Sequence, residues 1–367
     1  MEDLVSPQFW AGRRVLVTGH TGFKGAWLCL WLQKLGASVA GYALPASADQ
    51  SLFALARVGD HLRSVLADVR DRRQLAECVA SFDPEVIFHL AAQPLVRDSY
   101  QQPIETYEVN VLGTAHLLES VRQSRSCLAV VVITSDKCYE NKEWVWGYRE
   151  TDRVGGHDPY SSSKACAELV TAAYRTSFFE SDSRTPIVAV ASARAGNVIG
   201  GGDFARDRLV PDVLAASRGG KALRIRNPDA VRPWPHVLEP LSGYLRLAEL
   251  LCSDPRSFSG SWNFGPGASD ARPVRWIVER LAQYLDGELR WHVDAEQGPH
   301  EARLLMLDSS KAHACLGWRP RWRLAQALQA VAEWHKACLR NESLHDVTLR
   351  QILEYEKAPA YDASIDE

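Results

Sequence analysis

The sequence is short of the features that mark several large classes of protein. Its eight cysteines include no C-x-x-C pair, which argues against a zinc ribbon or a redox motif, and no metal is expected. Cys29, Cys78, Cys127, Cys138, Cys166, Cys252, Cys315 and Cys338 sit mostly in apolar helical or strand patterns and read as reduced core thiols. Positive charge is not in excess. The 42 Lys and Arg face 45 Asp and Glu, for a formal charge of −3 and a pI near 6.4. Neither nucleic acid nor an anionic membrane is therefore expected as a partner. No apolar run approaches the length that spans a bilayer. Met1-Glu2-Asp3-Leu4 lacks the basic region of a signal peptide, so the expected location is cytoplasmic. No internal repeat, heptad or low-complexity segment interrupts the chain.

What is present is size and apolar content. The chain has 367 residues, 46% of them hydrophobic, enough for two lobes with cores of their own. Arg14–Thr18 is a short β-branched run. Gly19-His20-Thr21-Gly22-Phe23-Lys24-Gly25 follows at once, and an apolar helix begins at Ala26. Strand, glycine turn and helix together make a phosphate site: side chains would block the approach of a pyrophosphate, and amides at the helix start point at it. The spacing is G-x-x-G-x-x-G rather than G-x-G-x-x-G. A second strand, Ser38–Leu44, ends without the acid that would hold an NAD ribose and without an arginine for a 2′-phosphate. This position leaves NAD and NADP both open, and His20 and Lys24 in the loop can favour a phosphate.

Further strands are expected at 66–71, 85–92, 128–134 and 186–192, with a helix at 106–123 that carries Asn110. Continuous apolar strands alternating with helices predict a parallel, doubly wound sheet of Rossmann type. Ligands in such sheets bind at the carboxyl ends of strands. Gly19, Asp68, Ala91 and Ser135 all fall there. Asp68 has two readings of equal weight, an adenine contact and a helix N-cap. The expected organisation is a dinucleotide-binding domain over 9–195, to which the chain can return later, a smaller α+β substrate lobe over 196–340, and a polar tail over 341–367.

The chemistry concentrates in 128–164. An apolar strand delivers Thr134-Ser135-Asp136-Lys137, and Tyr160 and Lys164, four apart, share a face of the following helix. A free tyrosine has a pKa of about 10, too high for a base at neutral pH. A neighbouring ammonium and a cationic nicotinamide ring both lower it. With Ser135 on the same substrate oxygen, the pair can remove a hydroxyl proton while hydride leaves the same carbon.

Together, Gly19-x-x-Gly22-x-x-Gly25, Asp68, Ala91-Ala92, Ser135 and Tyr160-x-x-x-Lys164 resemble the extended short-chain dehydrogenase/reductase family. The runs 133–141, 144–150 and 194–203, together with Arg232-Pro233-Trp234 and 236–240, narrow the resemblance to its dehydratase branch, in the group acting on CDP-glucose. The likeness extends from about Phe9 to Leu339. It implies NAD as cofactor, held by residues 19–25, Asp68, Val69, Leu90, Ala91, Ala92, Asn110, Tyr160 and Lys164. It implies a nucleotide-sugar substrate met by Gln93, Ser135, Asn197, Arg208, Arg232, His236 and Asn263, and a homodimer paired through the helix that bears Tyr160. Ser135, Asp136, Lys137, Tyr160 and Lys164 would be catalytic, with Asp136 as the acid that expels a hydroxyl as water. That role requires a carboxyl that keeps its proton near neutral pH. Related dehydratases carry a glutamate where this chain has Lys137. Lys137 is therefore either a base, which needs a depressed ammonium, or an electrostatic stabiliser of enolate charge. Two rival functions fit parts of the pattern. A sugar-nucleotide 4-epimerase keeps Ser135, Tyr160 and Lys164 without needing Asp136. A non-catalytic NAD-sensing regulator would not need the Tyr/Lys pair.

Overall fold

Short β-branched runs bounded by glycine or polar turns become the strands β1 (Arg14–Thr18), β2 (Ser38–Ala43), β3 (Arg63–Leu66), β4 (Val86–His89), β5 (Ala129–Ile133), β6 (Ala189–Arg194), β7 (Leu223–Ile225), β8 (Val231–Pro233), β9 (Gly260–Asn263), β10 (Ala271–Pro273) and β11 (Trp291–Val293). The structure, a computed structural model, describes residues 5–46, 50–180, 187–219, 222–267, 270–285, 289–293 and 304–361. One parallel sheet has the order β3-β2-β1-β4-β5-β6-β9. The first six follow the doubly wound order, so the carboxyl ends of β1, β4, β5 and β6 share one edge.

Both faces of the sheet are covered. On one, Leu16, Val130, Val132, Leu117 and Val121 belong to a single buried cluster. It is closed by helices 72–82, 113–122 and 159–174, which stand on that face. On the other, Val15, Val17, Val131 and Ala191 pack with Trp27, Leu28, Leu241 and Trp334. Helix Phe23–Lys34 is buried over all of Gly25–Leu32, as expected of a helix that is apolar all round. A third cluster around Val213, Ile225, Ile277 and Leu328 forms the core of the smaller lobe. There β7 pairs with β11 and β8 with β10.

Two expectations need correction, on the third strand and on the tail. The strand expected at 66–71 lies at Arg63–Leu66 instead; it is an edge strand, and the buried Ala67 and Val69 that suggested a strand belong to the turn after it. After β6 the chain builds the lobe but soon returns: helix Leu238–Ser253 packs on the sheet and β9 becomes its seventh strand. The segment 341–367 is not a loose polar tail over its described part. Leu344–Lys357 is a helix capped by Ser343. Its buried residues Leu344, Val347, Thr348, Gln351, Ile352 and Tyr355 recur at helical spacing, an apolar stripe diluted by polar neighbours. Residues 362–367 of that tail, and Pro186 of the expected sixth strand, lie outside the described residues. Among the described residues no helix is long and apolar enough to cross a membrane. The eight cysteines carry no disulfide.

Candidate active site

A crevice of about 1550 Å³ runs along the carboxyl edge of the sheet into the smaller lobe. That exceeds the range of about 300–1,000 Å³ typical for one small ligand, and suits two nucleotide-sized molecules side by side. Residues from the turns after β1, β3, β4, β5 and β6 line it.

At the β1 end the wall is backbone. Gly19 has φ +77°, a conformation that side chains disfavour, and a Cβ there would stand 2.7 Å from the Ala91 amide nitrogen. A Cβ on Gly25 would stand 2.1 Å from the Gly19 carbonyl oxygen. The Gly22 amide donates to that same carbonyl at 3.0 Å. Thr18 Oγ1 fixes the turn after β4: it accepts from the Ala91 amide at 3.2 Å and bonds His89 Nδ1 at 2.7 Å. Leu90, Ala91, Ala92, Asp68, Val69, Thr21, Phe23 and Lys24 all line this end. Asp68 is not the helix cap; Asp71 is, accepting from the Gln74 amide at 3.0 Å. Asp68 instead takes the Arg70 amide at 2.8 Å and its guanidinium at 2.6 Å, and the guanidinium holds its carboxyl below the usual range.

At the centre, β5 ends on Ser135-Asp136-Lys137. Ser135 Oγ donates to Asp136 Oδ1 at 3.0 Å and accepts the Lys137 amide at 3.2 Å, which starts a short 3₁₀ turn over Asp136–Cys138. Tyr160 and Lys164 face it from a helix capped by Asp158, with Pro159 in the first turn. Lys164 Nζ donates to the Ile133 carbonyl at 3.2 Å. All five catalytic candidates line the crevice.

Burial sets the protonation here. It pushes Asp136 up against the opposing pull of Lys137, Ser135, Arg232 and Lys24, and Asp136 Oδ2 is buried with no partner. A neutral carboxyl is thereby favoured. Burial also drives Lys164 down to about 8, with Glu168 opposing. Lys24 falls to about 8 through burial and the charges of Arg208 and Lys164. Tyr160 is pushed up to about 12, because burial outweighs its hydrogen bond with Ser135. In the protein alone, burial thus outweighs the contributions that lower this phenol.

On the side of the smaller lobe the wall is basic. Arg206, Arg208, Arg224, Arg226 and Arg232 line it together with Asn197. Arg208 is paired with the buried Asp203 at 3.0 Å. Asp203 closes the run 194–203 but was not among the expected site residues; it stands in a glycine-rich turn without periodicity.

Five expected site residues stand behind the wall instead. His20 is buried against Gly41, bonds Ser64 Oγ through Nε2 at 2.7 Å, and is pushed down to about 4 by burial, so it offers no charge to a phosphate. Asn110 holds the Gln93 amide at 2.8 Å and Ser163 Oγ at 2.8 Å, tying the turn after β4 to the Tyr160 helix. Gln93 folds back onto Leu95 and Thr106. His236 is enclosed between Trp27 and Trp322. Asn263, fully buried, accepts from Tyr139 Oη at 2.8 Å and bonds the backbone of Tyr148 and Asp308. Each is polar because it satisfies buried backbone or side-chain groups.

The chain matches the GDP-mannose 4,6 dehydratase family over residues 16–256. It is 52% identical to a CDP-glucose 4,6-dehydratase of Salmonella typhimurium over 97% of this chain and 99% of that one. Among solved structures it is similar to MoeE5 in complex with UDP-glucose and NAD, at 26% identity and a TM-score of 0.73, covering 89% of this chain and 99% of that one. The dTDP-glucose 4,6-dehydratase DesIV of Streptomyces venezuelae, solved with NAD, shares the fold at a TM-score of 0.76 and 23% identity, over 90% and 99% of the two chains. On the family match and the Salmonella relative, the chain belongs to the GDP-mannose 4,6 dehydratase family, within the extended short-chain dehydrogenase/reductases.

Proposed function

We propose that this chain converts CDP-D-glucose to CDP-4-dehydro-6-deoxy-D-glucose and water, with bound NAD, as a cytoplasmic enzyme of deoxysugar synthesis. The observation that carries the reading is Asp136: a buried carboxyl with raised pKa, bonded to Ser135, in the crevice that Tyr160 and Lys164 also line. The cytosine base is supported by the Salmonella relative.

The glycine turn and the small residues after β4 hold the dinucleotide. NAD supplies the acceptor and donor of hydride between sugar C4 and C6, and its cationic ring adds the positive charge that Tyr160 lacks. Tyr160 Oη takes the proton of the 4-hydroxyl while Ser135 Oγ holds the same oxygen. Lys164, as ammonium, stabilises the phenolate. The ketone at C4 acidifies the C5 proton. Either Lys137, as free amine, takes that proton, or it stays an ammonium that stabilises the enolate charge while water takes the proton. Asp136 gives its proton to the departing 6-hydroxyl, so water leaves rather than hydroxide. A proton returns to C5, and the proton held on Tyr160 restores Asp136 through solvent. Arg208, Arg232 and Asn197 face the substrate diphosphate.

The deciding assay offers the purified protein and NAD⁺ with CDP-, dTDP-, UDP- and GDP-glucose separately, and looks for a keto sugar one water lighter. Turnover of CDP-glucose is the expected result; activity confined to another base would overturn the substrate. For Lys137, Lys137→Ala in deuterated water should slow both C5 exchange and turnover; near wild-type rates would eliminate both roles. The reading also expects a homodimer through helix 159–174 and its neighbour, where Leu112 and Leu169 are exposed. Light scattering giving the mass of a single chain would count against it.

A further inference from the structure

Directly beneath the catalytic strand ends lies a charged cluster that the reaction itself does not use. Glu168 and Arg194 form an ion pair at 2.7 Å with side chains 4% and 3% exposed. Glu168 also accepts from Ser192 Oγ at 2.6 Å, from Thr134 Oγ1, and from Ser261 Oγ at 3.3 Å. Arg194 Nη1 donates to Tyr139 Oη at 2.7 Å and to the Glu150 carbonyl at 3.3 Å. Tyr139 Oη in turn donates to Asn263 Oδ1 at 2.8 Å, and its ring stacks on Tyr148 with centroids 5.1 Å apart.

Burying a full guanidinium and carboxylate is costly, and an apolar pair of similar volume is often as stable. Stability is therefore a weak reason for this cluster. Its connections suggest a better one. Thr134 immediately precedes Ser135. Glu168 lies one helical turn beyond Lys164. Tyr139 follows the Asp136–Cys138 turn, and its amide donates to the Asp136 carbonyl at 3.3 Å. The cluster thus ties the helix that carries Tyr160 and Lys164 to the turn that carries Asp136 and Lys137.

We propose that Glu168, Arg194 and Tyr139 are positioning residues that hold the Asp136–Cys138 turn in register with the Tyr160 helix, so that elimination follows oxidation without loss of alignment. The inference rests on the dehydratase reading above. Tyr139 is the point where it can be tested with least damage, because phenylalanine keeps the stacked ring and removes only the hydroxyl between Arg194 and Asn263. The oxidising groups Ser135, Tyr160 and Lys164 keep their own contacts in that variant.

The test is single-turnover absorbance at 340 nm on the full chain with NAD⁺ and CDP-glucose. In Tyr139→Phe, NADH should form within about threefold of the unsubstituted rate and then decay at least about tenfold more slowly, since small misplacements cost rate steeply. Bound NADH accumulates as a result. A general loss of folded protein would instead lower the amplitude and leave both rate constants alike. Unchanged decay, or formation and decay slowed by the same factor, overturns the proposal. The double variant Glu168→Leu/Arg194→Met removes both charges and leaves no unpaired buried charge, although Thr134 and Ser192 lose their acceptor; if it folds and completes turnover at the unsubstituted rate, the cluster has no positioning role. The unsubstituted protein run alongside separates the two levels: no keto sugar from it would count against the dehydratase reading itself.

Discussion

Two parts of the crevice are built from different materials. The β1 end is backbone and small side chains: Gly19, Gly25 and Ala91 approach one another so closely that one added carbon collides. The lobe side is long cationic side chains, Arg208, Arg226 and Arg232 among them, and Arg208 and Arg232 act on the charges of Lys24 and Asp136. One part is shaped by excluding atoms and the other by extending charge. Between them β5 delivers Ser135 and Asp136. Damage should therefore be abrupt in the first part and graded in the second.

Gly25→Ala should have the largest effect. Its Cβ would meet the Gly19 carbonyl at 2.1 Å, and backbone cannot yield as a side chain can. NAD⁺ binding by calorimetry should be lost and stability should fall by about 2 kcal/mol or more. Binding at the unsubstituted affinity would break the contrast.

Next comes the centre. Asp136→Asn keeps the shape and removes the proton, so dehydration should slow by about 10²–10⁴ while NADH still forms from CDP-glucose. Loss of NADH formation as well would make Asp136 part of the oxidation. The unsubstituted dehydration rate should fall as pH rises through the raised Asp136 pKa, because only the protonated carboxyl expels water.

Arg208→Gln should be milder. Losing one charged hydrogen bond of about 1.5–3 kcal/mol raises KM by roughly ten- to a hundredfold and leaves kcat nearly unchanged. A fall in kcat with KM constant would put Arg208 at the reacting atoms.

The smallest effect on activity belongs to a carboxyl outside both parts. Glu239 is buried, accepts from the Trp322 amide at 2.7 Å and Tyr355 Oη at 2.8 Å, and is pushed up to about 7 by burial. Folded chains keep its proton where unfolded chains lose it near pH 4.5. Its contribution to stability is therefore present at low pH and lost as pH rises from about 4.5 through about 7. Glu239→Gln should flatten that part of a Tm–pH profile and leave turnover intact; an unchanged slope would contradict the assignment.

The same contrast explains what could be read from the chain. The glycine turn, the strand ends and the Tyr160/Lys164 face depend on spacing along one element, and the sequence displays spacing. His20, His236 and Asn263 looked like ligand contacts as polar residues near strand ends, and Asn110 as a polar residue on a helix beside them. Whether such a side chain turns to the crevice or to buried backbone depends on its neighbours in space, such as Trp27 and Trp322 around His236. The Glu168–Arg194 pair was invisible for the same reason: its members come from a helix and a strand 26 residues apart. Helix 344–357 was hidden by composition, since half-polar helices reveal themselves only by period.

The most direct measurement uses CDP-glucose carrying deuterium at C4. One crevice that joins an oxidation to an elimination must move that label from C4 to C6 within the same molecule. Mass spectrometry and NMR of the product should show a keto sugar one water lighter with deuterium on C6. A product of unchanged mass, or one whose label has gone to solvent, would contradict it.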